Sequence, residues 1–361
     1  MTSRLFLAFG CLTFALHTSV FAGTVVYVSE SQEKRVAVFS LDETSGDLTR
    51  FGEVELDGAP GCLALSPDGR FIYASVRSAS QFATLAIDPK TGALNVVGTA
   101  PASGSAAYVY PDKTGRWLLA AYYGEGLVSV SAIKDGVVTG DPVCVIDVGK
   151  KAHCIQTSPD NRFAFSPHPV ELNRVDQFHF HPDTGQLSLN DPPAMIAGEG
   201  DGPRHLQFHP NDKWVYLVNE QGKSVTLCDY DAKKGTLASR QTVSTHPADW
   251  DPAKGSCADI EITEDGRFVY ASNRGHDSIA AFRIDPASGE LTSLGQTATE
   301  KTPRSFNLMP VENQRYLVAA GQGSAKLVVY ARDPDSGKLE PLKTYACGGS
   351  PAWVLGVNLD R

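Results

Sequence analysis

The sequence is short of positive charge: 32 Lys and Arg stand against 41 Asp and Glu, a net charge of −9. It therefore lacks the basic excess that a phosphate backbone demands, and nucleic acid is excluded as a partner. Its seven cysteines occur singly, with no Cys-x-x-Cys pair and no histidine at zinc-ligand spacing. That removes a zinc-finger reading and leaves them as small buried hydrophobes. No stretch sustains a helical period, and beyond the N-terminus no apolar run is long enough to span a bilayer. No Gly-x-Ser-x-Gly elbow is present either, which argues against a covalent serine mechanism. What the chain does have is turn chemistry: 33 Gly and 22 Pro in 361 residues, with 42% hydrophobic and 20% charged residues. This is the composition of a globular protein with many turns.

Residues 1–22 read as a targeting segment. Arg4 supplies a short positive region, Leu5 to Val20 an apolar stretch, and Val20-Phe21-Ala22 the small side chains that signal peptidase inspects. Cleavage after Ala22 and export are expected, leaving residues 23–361 as one domain without a membrane partner. The exported chain keeps Cys62, Cys144, Cys154, Cys228, Cys257 and Cys347.

Self-comparison gives the architecture. Ser66-Pro67-Asp68-Gly69-Arg70 returns as Tyr110-Pro111-Asp112, Ser158-Pro159-Asp160-Asn161-Arg162, His209-Pro210-Asn211-Asp212-Lys213, Glu264-Asp265-Gly266-Arg267 and, more loosely, Met309-Pro310. A second phrase follows each time, as in Asp88-Pro89-Lys90-Thr91-Gly92 and Asp285-Pro286-Ala287-Ser288-Gly289. Both are turns. Between them lie short alternating runs such as Phe71-Ile72-Tyr73-Ala74-Ser75-Val76, which read as strands, about four per unit. The period suits propeller blades. Six units are complete, while Val25–Glu30 begins a seventh that lacks its first strand, and Ser350–Val357 is an orphan first strand. The expected fold is an all-β, seven-bladed β-propeller with one blade closed by N- and C-terminal strands.

In a propeller the first strand of each blade lines the channel, so residues in one register form a ring at its mouth. Six positions before each turn proline or its equivalent stand Gly61, Ser105, His153, Arg204, Ala258 and Arg304, with Ala352 in the matching place of the C-terminal strand. The small residues leave space on which His153, Arg204 and Arg304 converge. Such a hollow suits an anionic carboxylate or carbonyl-bearing ligand. His205 and Asp259 lie beside the ring, and Asn219-Glu220 ends the second strand of the Arg204 blade. Ser105, His205, Asn219 and Asp259 are the expected substrate-binding residues. The other histidines, His168, His179, His181, His209, His246 and His276, are expected mostly at the surface. The acidic residues show no ligand spacing, so no metal or other cofactor is expected.

Lys151-Ala152-His153-Cys154-Ile155-Gln156, Gly202-Pro203-Arg204-His205, Val218-Asn219-Glu220 and Thr302-Pro303-Arg304-Ser305-Phe306-Asn307 together resemble the seven-bladed propeller lactonases. That family includes the propeller-type 6-phosphogluconolactonases and the fungal carboxymuconate cyclases. The resemblance spans the whole exported chain and implies a metal-independent catalytic site of His153, Arg204, Glu220 and Arg304. His153 is the expected base, the two arginines stabilise an oxyanion or clamp an anion, and Glu220 either orients Arg204 or is itself the base. The expected activity is hydrolysis of a sugar lactone by a monomer. Export away from cytosolic phosphosugar metabolism favours an unphosphorylated aldonolactone. Cyclisation of a muconate by the same residues, and a propeller that only binds, are the alternatives.

Overall fold

The computed structural model describes residues 23–251 and 253–360; the targeting segment lies outside the described residues. The chain forms seven four-stranded antiparallel sheets arranged as blades. Blade 1 takes Thr24–Glu30, Arg35–Leu41 and Leu48–Glu55 from the N-terminus and its inner strand, Pro351–Asn358, from the C-terminus. Blades 2 to 7 follow in chain order, with inner strands Pro60–Leu65, Ala106–Pro111, Gln156–Thr157, Pro203–Phe208, Ser256–Ile262 and Pro303–Leu308. Strand polarity follows burial. Second strands such as Thr24–Glu30 and Trp214–Asn219 are covered on both faces and buried throughout. Outermost strands such as Leu48–Glu55 face water on one side and are polar.

Apolar clusters sit between blades rather than inside them. Val26, Val28 and Phe39 of blade 1 pack with Val318, Ala320 and Val329 of blade 7. Each such valine or phenylalanine side chain taken out of water contributes about 1.5–3 kcal/mol. A repeated polar tie joins neighbours as well. The hydroxyls of Tyr27, Tyr73, Tyr216 and Tyr270 donate to the carbonyls of Gly92, Gly136, Gly289 and Gly337 in the following blade, at 2.6–3.1 Å. Tyr316 of blade 7 donates to Thr44 of blade 1 at 2.9 Å and carries the pattern across the closure. The glycines of the second turn phrase are thus acceptors between blades.

The start of each inner strand determines what faces the channel. Gly202, Thr302 and Ser350 precede the strand prolines with φ of +68°, +59° and +54°, turning the chain sharply inward. Pairing then slips: Arg204 is skipped between Pro203 and His205, and Arg304 between Pro303 and Ser305. Gly61, Ala258 and Ala352 fall within the same slip in their blades. A residue freed from its ladder by such a bulge is re-aimed, here toward the channel mouth. Blade 4 differs, because its inner strand keeps only Gln156 and Thr157, and His153 lies ahead of it with its N–H donating to the Pro167 carbonyl at 3.1 Å.

Three of the histidines expected at the surface are buried. His168 pairs with Asp176 at 3.0 Å, and His209 is held against the Gly266 carbonyl at 2.9 Å by the neighbouring blade. His246 packs against Trp250 and His276. Turns that look solvent-facing in one blade are covered by the next. Cys62, Cys144, Cys154, Cys228 and Cys257 are buried, Cys347 is half-buried, and all six are free thiols.

Candidate active site

Six of the seven ring positions, Gly61, Ser105, His153, Arg204, Arg304 and Ala352, line one cavity of about 330 Å³ at the channel mouth. The seventh, Ala258, contributes its carbonyl, which accepts a hydrogen bond from Nη1 of Arg204. Trp353 and Cys62 lie deeper and line both this cavity and a second one at the opposite mouth, so they mark the partition between the two. Tyr108 packs edge-on against Trp353 at 5.6 Å and against His205 at 5.2 Å, and the His205 ring lies tilted to Trp353 at 6.0 Å. Of these three only Trp353 lines the cavity, with Tyr108 and His205 packed behind it.

His153 is 5% exposed, and its Nδ1 is buried without a hydrogen-bond partner. Burial first, then the charges of Arg204 and Arg304 and the neighbouring His205, push its pKa well below 6.5. It is therefore a neutral imidazole at pH 7. The ring stands 5.5 Å from Tyr123 and 5.1 Å from His205, which fixes its place in the wall.

Arg204 is almost wholly buried, and its surroundings explain how a guanidinium is tolerated there. Nη1 donates to Nε2 of His205 at 3.1 Å as well as to the Ala258 carbonyl, and Nε lies 3.5 Å from Glu220. A guanidinium has no acceptor, so Nε2 of His205 must accept, and its Nδ1–H then donates to Asp259 at 2.8 Å. Asp259 also accepts from the backbone of Ile260 and Phe306, tying three blades together. Burial lowers the pKa of Arg204 to about 9, with Arg304 adding to the effect and Glu220 opposing it. It remains protonated at pH 7.

Glu220 sits between two arginines. Arg274 donates to Oε1 at 2.6 Å and to the Cys257 carbonyl at 2.7 Å. Burial would raise the Glu220 pKa, but Arg204 and Arg274 outweigh it and hold the carboxyl below its usual range. A carboxylate in two ion pairs is a poor proton acceptor, so its geometry is that of a group orienting Arg204.

His153, Arg204, Arg304 and Ser105 line the one cavity, and Glu220 lies outside its lining, against Arg204. His205 and Asp259 are placed behind Arg204 rather than on the cavity wall. Asn219 is fully buried and does not line the cavity, its amide donating to Ser224 and Thr226 at 2.9 and 2.8 Å. Three participants escaped the register argument, namely Arg77, Arg274 and Trp353. Arg77 and Arg274 stand at the ends of second strands, for which no equivalent ring was read. Trp353 adjoins ring position 352 and was within reach of that reasoning. Among the described residues no three His, Cys, Asp or Glu side chains gather as a metal site requires.

Comparison with known proteins identifies the family. Residues 20–356 match the family described as lactonase, 7-bladed beta-propeller. A 6-phosphogluconolactonase of Pectobacterium carotovorum is 34% identical over 337 residues, covering 93% of this chain and 99% of that protein. One from an Enterobacter species is 34% identical over 283 residues, covering 78% of this chain and 84% of that protein. The periplasmic gluconolactonase of Pseudomonas aeruginosa superposes with a TM-score of 0.85 at 25% identity, covering 94% of this chain and all of that one. With the ring of blades, the mouth cavity and these likenesses in agreement, the chain belongs to the seven-bladed β-propeller lactonase family.

Proposed function

We propose that the chain hydrolyses a sugar lactone, with His153 as general base and Arg204 and Arg304 stabilising the oxyanion. The observation that carries this reading is a neutral, buried imidazole sharing one small cavity with two guanidinium groups. His153 takes a proton from water as its oxygen attacks the lactone carbonyl carbon. Arg204, held by His205 and Glu220, donates to the carbonyl oxygen as it becomes an oxyanion, and one such donor lowers the barrier by roughly 3–4 kcal/mol. The ring C–O bond then breaks, the departing oxygen receives the proton from His153, and a hydroxy acid leaves. The names of the relatives, 6-phosphogluconolactonase and gluconolactonase, support a sugar lactone as substrate.

The same reading includes export with cleavage after Ala22. The N-terminal pattern and the periplasmic structural neighbour support it. Among the described residues no helix is long and apolar enough to cross a membrane. The proposed chemistry needs no metal, so activity is expected to survive EDTA.

The test is lactone hydrolysis followed by proton release, corrected for spontaneous opening. His153→Ala is expected to lose at least ~100-fold in kcat/KM, the usual contribution of a positioned base, while its melting temperature stays near wild type. Full activity in that variant would overturn the assignment.

A further inference from the structure

The opposite mouth of the channel holds a cavity of about 350 Å³, divided from the first by Trp353 and Cys62. Its walls are mostly apolar, with Leu65, Tyr110, Trp353 and Leu355 among them, and Glu261 and Asn307 bring polar atoms into the same hollow. Asp112 and Lys113 complete its charged lining. The Asp112 carboxylate is taken up by Asn161, Thr114 and the backbone of its own turn. Lys113 is exposed, with Nζ against the Tyr110 hydroxyl at 2.5 Å.

Three positions beyond the ring residues, the inner strands of blades 4 to 7 carry Gln156, Gln207, Glu261 and Asn307. Each of the three amides ties its blade to the next. Gln156 donates to the Leu206 carbonyl at 3.1 Å, Gln207 donates to the Ile260 carbonyl at 3.3 Å, and Oδ1 of Asn307 accepts from the Gly356 N–H at 2.9 Å. Position 261 breaks the pattern with a carboxyl. Its Oε1 accepts from the Asn307 amide at 3.0 Å, a bond that a glutamine carbonyl would make equally well. Among the described residues Oε2 has no donor, and no lysine or arginine forms an ion pair with the group. Burial, and then the charge of Asp259 two residues earlier on the same strand, push its pKa up to about 8. Both effects work against the carboxylate, and a cation beside it would offset both.

We propose that this far cavity binds an organic cation, a protonated primary amine on a short apolar body, with Glu261 as its anionic partner. The ammonium donates to Oε2, and the alkyl or aryl part lies against Trp353 and Leu355. A metal ion suits the cavity poorly, because it needs several oxygen or nitrogen ligands at once, and among the described residues no three His, Cys, Asp or Glu side chains gather to supply them. The site stands apart from the lactonase reading, since it lies beyond the partition and uses none of the residues assigned to catalysis.

Calorimetry at pH 7 tests it with three ligands of one shape: 2-phenylethylamine, the uncharged 2-phenylethanol, and the anionic 3-phenylpropionate. The amine should bind ~10-fold or more tighter than the alcohol, the range of one charge-assisted hydrogen bond, and the carboxylate should bind weakest. Glu261→Gln keeps the tie to Asn307 and matches Gln156 and Gln207, so it should melt like the wild type while the preference for the amine shrinks to within about 2-fold. Glu261→Asp keeps the charge and should retain part of that preference. His153→Ala should bind the amine as the wild type does, which places the ligand at the far mouth. Equal binding of amine and alcohol, an amine that does not bind at millimolar concentration, or a preference that survives Glu261→Gln would overturn the site. An amine-binding protein that opens no lactone would sink the lactonase reading and leave this one standing.

Discussion

His153 can act as a base only while it is neutral, and its surroundings keep it so. Burial and two nearby guanidinium groups disfavour its protonated form. A base whose pKa is depressed keeps working at lower pH, so the acid limb of kcat/KM should fall below pH 6.5. A pH–rate profile for gluconolactone, corrected for spontaneous opening, checks this, and a limb at or above 6.5 would remove His153 from the role. The sign for stability is the same. His153 and His205 both bind protons less readily folded than unfolded, burial and then Arg204 taking His205 to about 4. The stability these groups contribute is therefore present above pH 6.5 and is lost as pH falls from there through their folded pKa values. At this scale the ring residues were legible because turn spacing placed them in one register. Arg77 and Arg274 were not, since an arginine at the end of a second strand looks like any solvent-facing charge until the neighbouring blade covers it. Asn219 adjoins Glu220 in sequence, yet it is fully buried and does not line the cavity.

At the level of the element, two turn phrases perform different jobs. The first positions the ring and the second receives the previous blade. Gly289 shows how tightly. It adopts φ +76°, its carbonyl accepts from Tyr216, and a Cβ there would lie 2.5 Å from the indole of Trp214. Gly289→Ala should therefore cost about 2–4 kcal/mol, combining left-handed strain with overpacking against a ring. Chemical denaturation would read this as a lower midpoint, and an unchanged midpoint would show that Trp214 can move aside. Strands and turns were legible because alternation and Asp-x-x-x-Gly phrases are local signals. The bulges that free Arg204 and Arg304 were not, although the Pro-Arg steps mark their places. A slip in pairing depends on the partner strand and leaves no local pattern.

For the whole molecule, closure and the site are one problem. Seven blades in a ring make seven interfaces, and the last exists only because Pro351–Asn358 pairs with Thr24–Glu30 from Asn358 opposite Thr24 to Pro351 opposite Glu30. That strand also brings Ser350, Ala352 and Trp353 to the cavity wall and Val354 to the core between blades 1 and 7. Glu30 secures the join: it is fully buried, accepts from the Gly348 N–H at 2.6 Å and pairs with Arg35 and Arg50. A chain ending at Ser350 should lose more than the pairing of this one strand. It exposes the Thr24–Glu30 edge, removes Trp353 from the cavity and leaves Val26 and Val28 without their cover, so it should melt well below the full-length chain, self-associate through the free edge and hydrolyse no lactone. Size-exclusion chromatography with thermal melting tests this. A truncated chain with the same association state and melting temperature as the full-length chain would mean that six blades and an open seventh suffice, and that the terminal strand serves the cavity alone.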